Sequence, residues 1–141
     1  TEIYSYYFLL SIFFVIIFFV FGELVIKLFY GNNFLESVLI LKMYSLSFIF
    51  VFFNPMNNKL LMIDNLQKIM LMRNFVGLTI NLILNYFLIP KFGILGAVYS
   101  TLLSQIVILI SYLFDQRTKY IFLIQINSLV YPLKAIKNII K

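Results

Sequence analysis

Hydrophobic residues in this chain occur in long blocks separated by short polar segments. Residues 3–22 contain no charged side chain, and three more largely apolar runs follow. About 20 apolar residues, at ~1.5 Å of helix per residue, match a hydrocarbon layer about 30 Å thick. An open strand in hydrocarbon would leave its backbone groups unpaired, so these runs predict helices despite their many β-branched and aromatic residues. The predicted spans are residues 3–22, 37–58, 69–89 and 94–114.

Proline and glycine positions predict where these helices bend or end. Residues 31–33, Gly-Asn-Asn, supply turn chemistry after the first span. Pro55 is expected to weaken or kink the second span, because proline lacks an N–H donor and displaces a carbonyl. Pro90 is expected to end the third span, so that residues 90–93 form a very short turn. Helices joined by so few residues must be antiparallel neighbours.

Residues 120–141 differ from the four spans, because their apolar part is short and interrupted by polar residues. The interruptions are Gln125, Asn127 and Ser128. Beyond Pro132, a natural first helical position, three lysines share one face of a helix: Lys134, Lys137 and Lys141. We therefore predict an all-α integral membrane fold. Four antiparallel transmembrane helices occupy residues 1–119, and a cytoplasmic, interfacial basic helix occupies residues 120–141.

Composition supports a membrane protein and excludes several kinds of site. Hydrophobic residues make up 63% of the 141 residues and charged residues 11%, and one core in water could not bury that much apolar surface. The absence of cysteine and histidine removes disulfides, thiolate nucleophiles and nearly all zinc sites. Paired catalytic acids, glycine-rich phosphate loops and nucleophile triads are also missing from the sequence. The sequence thus predicts no enzyme, no cofactor and no metal site.

The distribution of basic residues predicts the orientation in the membrane. The net charge is +6, but the basic residues lie between apolar runs, which indicates topology and anionic-lipid contact and not nucleic-acid binding. Eight of them flank the loop between spans two and three or lie at the end of the chain: Lys59, Lys68, Arg73, Arg117, Lys119, Lys134, Lys137 and Lys141. Three lie on the other side: Lys27, Lys42 and Lys91. This bias places the C-terminus in the cytoplasm. Because the sequence starts at Thr1 and lacks a basic leader, we expect a fragment or a truncated reading frame.

Two segments resemble the polysaccharide flippases of the multidrug/oligosaccharidyl-lipid/polysaccharide exporter superfamily. Residues 81–97, NLILNYFLIPKFGILGA, are similar to the family's hairpin pattern N-x-x-L-N-x-x-L-I-P-x-x-G-x-x-G-A. Residues 28–34, LFYGNNF, resemble its LFG-x-x-F loop, with Tyr30 inserted. The resemblance implies structural roles for five residues of these motifs: Gly31, Pro90, Gly93, Gly96 and Ala97. Glycines there allow a tight turn and a close approach of paired helices.

The resemblance also implies a function and a location. The family would flip an undecaprenyl-pyrophosphate-linked oligosaccharide across the bacterial inner membrane, for O-antigen or another polysaccharide. The partners would then be the lipid-linked oligosaccharide, membrane lipids and an N-terminal remainder of the transporter. Alternatives are a small structural or accessory membrane subunit, a drug or lipid exporter of the same superfamily, or a membrane-bound polymerase.

Four polar residues of the third span are candidates for a substrate cavity: Arg73, Asn74, Asn81 and Asn85. The three asparagines fall on one helix face at ~100° per residue, with Arg73 at the cytoplasmic mouth. Interhelical hydrogen bonding explains the asparagines at least as well, and snorkelling to the headgroups explains Arg73. On the fourth span, Gly96, Ser100 and Ser104 recur every four residues, which favours close helix packing.

Overall fold

The computed structural model describes residues 2–139, and the side chains of residues 2–129. These residues form helices and short connections, with no strand among them. The elements are α1 Glu2–Tyr30, a 3₁₀ turn Asn32–Phe34, α2 Ser37–Ser45, α3 Phe48–Ile63, α4 Gln67–Phe92, α5 Ile94–Ser111 and α6 Lys119–Ile139. Four of the described helical segments are long and apolar enough to cross a membrane: α1, the segment formed by α2 and α3 together, α4, and α5. This confirms the predicted number of such helices; insertion into a membrane stays a prediction.

The first helix is longer than predicted. It continues past Gly22, the last residue of the predicted span, through Glu23 and Lys27, and stops at Tyr30. Lys27 Nζ lies 2.7 Å from a Glu23 carboxylate oxygen, four residues apart on an exposed helix face. Such a pair supports a helix in water. Hydropathy therefore predicted the apolar part of the helix, residues 3–22, and the helix continues beyond it to Tyr30.

The second span is interrupted at Leu46 and Ser47, not at Pro55. The Ser45 and Ser47 hydroxyls donate to the backbone carbonyls of Lys42 and Tyr44, at 2.6 and 2.7 Å. Such bonds compete with the helix ladder and bend helices. Pro55 lies inside α3, which runs on to Ile63. The interruption at Leu46 and Ser47 was not predicted, and a kink at Pro55 stays a prediction.

The predicted turn between the third and fourth spans is shorter than expected. α4 includes Pro90 and continues to Phe92, so Pro90 does not end it. Gly93 alone separates α4 from α5, with φ +59°, a conformation that favours glycine. Gly96 contacts Leu88, Ser104 contacts Asn81, and Ile108 contacts Arg73. Residues farther along α5 thus meet residues farther back along α4. The predicted antiparallel hairpin is therefore confirmed.

α6 packs against the ends of three other helices. Ile121 is fully buried in a cluster with Leu61 of α3 and Tyr112, which follows α5. The Ser5 hydroxyl of α1 donates to the backbone carbonyl of Ser128 at 3.3 Å. Gln125 and Ser128, which interrupt the apolar run, thus belong to the buried packing face of α6, whereas Asn127 is exposed. The predicted basic face falls on Lys134, Lys137 and Lys141, which lie outside the described side chains, so the interfacial position stays a prediction.

Candidate functional site

A buried polar cluster joins α1, α3 and α6; we call Tyr4, Asn57 and Gln125 the Asn57 cluster. The Tyr4 hydroxyl and the Gln125 amide both donate to Asn57 Oδ1, at 2.8 and 2.7 Å. All three side chains are at most 3% exposed. Buried polar groups need such partners, because an unpaired one loses its hydration without replacement. The sequence analysis did not select this cluster, since its members come from three distant segments.

A void of about 10 Å³ adjoins this cluster. Polar side chains contribute to its lining: Asn54, Asn57, Gln105, Tyr112 and Gln125. Gln125 Oε1 is buried and has no hydrogen-bond partner among the described residues. A void of this size accommodates one water molecule, which could donate to that oxygen. The void can thus hold one bridging water molecule, and it is too small for an organic substrate.

Arg73 forms a second polar centre, between α4 and α5. Its guanidinium carbon lies 2.9 Å from the centre of the Tyr112 ring, and Nη2 donates to the Ile108 carbonyl at 2.9 Å. Arg73 is 8% exposed, and its Nε and Nη1 are buried without acceptors among the described residues. The nearby carboxylate of Asp115 is bonded to Arg117 instead. Arg73 therefore folds onto α5, and its charge lacks a paired anion within the described chain.

A groove of about 400 Å³ runs beside Arg73. Its apolar lining includes Ile69, Met72, Val76 and Phe114, and its polar lining includes Arg73 and Arg117. None of the three candidate asparagines lines this groove. The groove beside Arg73 is therefore not the asparagine-lined cavity at whose mouth the sequence analysis placed this residue.

The asparagine stripe is only partly assembled. Asn81 Nδ2 donates across the hairpin to Ser104 Oγ at 3.4 Å, and Asn85 Nδ2 donates to Asn81 Oδ1 at 3.0 Å. Asn74 is exposed on α4. The Asn81 bond to Ser104 is of the kind that the interhelical interpretation expects, whereas Asn85 bonds within α4. The four candidates do not converge on one cavity within the described residues.

The motif residues have mainly conformational and packing roles. Gly31 adopts φ +83° beside the 3₁₀ turn and Gly93 adopts φ +59°, so both suit glycine. A Cβ on Gly96 would collide with the backbone of Leu88, so only glycine fits that crossing. The Ala97 carbonyl accepts a 2.9 Å hydrogen bond from Thr101.

Polar side chains outside the four apolar helices form one contact within the loop between α5 and α6 and another between α6 and the end of α3. Hydrogen bonds from Arg117 lower the pKa of Asp115, so this pair persists until acidic pH. The Tyr120 hydroxyl donates to the Asp64 carboxylate, between α6 and the end of α3. Burial and this hydrogen bond raise the pKa of Tyr120 to about 12.

Alkaline titration will therefore show Tyr120 ionising late. A tyrosine ordinarily ionises near pH ~10. Because the folded pKa is raised, the stabilisation is complete below the unfolded value and is lost as the pH rises through about 12. The absorbance difference between the wild-type chain and Tyr120→Phe in detergent isolates this group. Asp64→Asn should move the midpoint down; an unchanged midpoint would show that the carboxylate has no part in the shift.

Comparison of the chain with known proteins found no matching family model, no similar curated protein and no similar solved structure.

Proposed function

We propose that this chain forms the C-terminal helices of a flippase that moves an undecaprenyl-pyrophosphate-linked oligosaccharide between membrane leaflets. The proposal rests on the hairpin of α4 and α5. Its sequence resembles the flippase motif, and the motif residues Asn81, Gly93 and Gly96 are those that make the turn and the close helix contacts. Alternating access requires helix groups that move as rigid units, and a hairpin packed in this way is such a unit.

In this proposal the chain supplies one part of a larger transporter. The polar face that carries Asn74, Asn81 and Asn85 faces the sugar-lipid headgroup, with an N-terminal remainder of the transporter completing the cavity. Asn74 is exposed in the described chain, as expected of a residue that contacts the substrate or the remainder of the transporter. The chain alone is then inactive in transport, because two bundles are needed to alternate.

An accessory membrane subunit is the second candidate. Several buried hydroxyl groups already bond within the chain: Ser11, Ser45, Ser47, Ser100, Ser104 and Ser128. The void in the Asn57 cluster is large enough for water only. A subunit that only packs against a partner would have such features. A drug or lipid exporter of the same superfamily would share the hairpin but accept a different substrate.

Surface polysaccharide tests the transport proposal. Asn74→Ala and Asn81→Ala, introduced into the intact protein in its host, are expected to reduce export about tenfold or more, while lipid-linked oligosaccharide accumulates inside. Such a decrease corresponds to ~1.4 kcal/mol of lost interaction. Thr79→Ala is the matched control, since Thr79 is exposed on the same helix and bonds only locally to the Phe75 carbonyl.

Membrane levels of each variant must be measured beside export. Normal export by well-expressed Asn81→Ala would defeat the cavity proposal. If neither variant alters export and deletion of the whole gene also leaves surface polysaccharide unchanged, the accessory-subunit candidate is favoured.

A further inference from the structure

We propose that the groove beside Arg73 binds the phosphate headgroup of an anionic phospholipid from the surrounding membrane. The site combines a buried, unpaired guanidinium with an apolar channel at one end of the α4–α5 hairpin. The proposal does not depend on transport, because the lipid is a resident ligand of the helix bundle and not its cargo.

Charge is the first argument. Arg73 is 8% exposed, and its only hydrogen bond among the described residues is the Nη2 bond to the Ile108 carbonyl. Nε and Nη1 remain buried without acceptors. A buried cation that lacks an anion is costly, whereas a phosphate offers several oxygens to a guanidinium fork. An anionic ligand would balance the charge and accept hydrogen bonds from the two nitrogens that lack acceptors.

The charges around the groove favour an anion. Asp115 and Arg117 both line it, but they bind each other, with a 2.9 Å contact between Arg117 Nη2 and the Asp115 carboxylate. Their charges therefore largely cancel, and Arg73 leaves the groove with one net positive charge. The charges of Asp115 and Arg73 attract each other, but no direct ion pair joins them among the described residues, so Arg73 Nε and Nη1 still lack acceptors.

The shape and position of the groove favour a lipid over a free anion. Ile69, Met72, Val76 and Phe114 line it with hydrocarbon, and Phe114 is 86% exposed. Arg73 lies six residues into α4, about 9 Å from the helix start at ~1.5 Å per residue. An arginine about one turn inside a span reaches the headgroup phosphates by snorkelling, and acyl chains would continue along the apolar lining.

Entry of the phosphate requires side chains of the groove to rearrange, since Nε and Nη1 are covered. Met72 is 59% exposed, and its unbranched side chain adapts to new neighbours at little cost. The same helix end is the one that the distribution of Lys and Arg assigns to the cytoplasm. Anionic lipids attract basic segments at that membrane surface.

Native mass spectrometry of the purified full chain in detergent tests the proposal, with phosphatidylglycerol and phosphatidylcholine as probes. We expect phosphatidylglycerol to bind more tightly. Arg73→Met should weaken its binding about tenfold or more, the loss expected for a charge-assisted hydrogen bond. Lys91→Met, which removes one positive charge at the opposite end of α4, is the control and should bind like the wild type.

Val76→Trp provides a second test that leaves Arg73 in place. It fills the groove with an indole ring, so it should also abolish the preference for phosphatidylglycerol. Equal binding of both lipids by the wild type, or wild-type binding by either groove variant, would overturn the proposal. If inorganic phosphate binds as tightly as the lipid, the site binds a free anion and the lipid proposal is wrong. If no anion binds at all, the proposal is also wrong, and a carboxylate of another protein becomes the expected partner of Arg73.

Discussion

Replacing Gly96 with alanine is expected to force α4 and α5 apart and to destabilise the bundle by about 3 kcal/mol or more. A Cβ at this position would overlap the Leu88 carbonyl and lie 2.8 Å from the Ile89 nitrogen. These atoms belong to the backbone of the partner helix, so no side-chain rotation relieves the clash. The penalty exceeds the gain of up to ~1 kcal/mol that alanine brings to a helix interior.

Alanine substitutions at two other glycines are expected to destabilise the bundle less than Gly96→Ala. A Cβ on Gly77 would collide with the Ile108 side chain, which can move, whereas one on Gly22 would meet only ordinary contacts at 3.7 Å. Thermal unfolding in detergent should therefore rank Gly22→Ala as neutral or slightly stabilising, Gly77→Ala as intermediate and Gly96→Ala as the most damaging. The loss at Gly96 should exceed that at the other two positions.

Disulfide crosslinking reports the helix separation directly, because the chain has no native cysteine. Asn81 and Ser104 face each other, with a 3.4 Å hydrogen bond between their side chains. The pair Asn81→Cys and Ser104→Cys should form a crosslink readily, and much more slowly when Gly96→Ala is added. Unchanged stability and crosslinking in Gly96→Ala would contradict the close contact with Leu88.

Replacing Asn57 with alanine is expected to release α6 from the bundle. Asn57 Oδ1 accepts hydrogen bonds from Tyr4 and Gln125, so the substitution leaves two buried donors without an acceptor. Each such donor costs about 1–3 kcal/mol, and membrane helices lie toward the low end. We expect a loss of about 2–4 kcal/mol, large for one polar residue in an apolar bundle.

Limited trypsin digestion and thermal unfolding measure this effect. Cleavage after Lys119, the first residue of α6, should accelerate in Asn57→Ala. Asn58→Ala is the matched control, because it removes the same chemical group from the next residue of α3 without touching the cluster. If Asn57→Ala and Gln125→Leu act through one bond, their effects will be less than additive; full additivity would show that the two residues act separately.

Long apolar helices could be predicted from single segments, and contacts between segments could not. The apolar runs predicted α1, α4 and α5, although each boundary moved by up to several residues, because hydropathy measures compatibility with lipid and not helix length. The break at Ser47 was missed because it depends on which hydroxyl bonds to which carbonyl. Pro55 and Pro90 remain inside helices, so proline in these spans did not mark an end.

Among the candidate residues, the glycines were easier to interpret than the polar side chains. Gly31 and Gly93 have positive φ values, a local property that sequence motifs carry. The partners of Arg73 and Asn81 lie on α5, Ile108 and Ser104. Helix periodicity gives the face on which a residue lies, but it does not give the depth, tilt or identity of the neighbour. The Asn57 cluster could not be predicted from the sequence for the same reason.

The sequence by itself determined that the chain forms long apolar helices, that two of them make a tight hairpin, and that glycine is needed at its turn. These properties follow from hydrophobicity and backbone sterics, which act within a short segment. The tertiary structure alone decided that Arg73 lies over Tyr112 beside a groove, and that Tyr4 and Gln125 share Asn57. A hydrogen bond or a buried charge depends on atoms brought within a few ångströms, and only the packing of distant segments fixes which atoms those are.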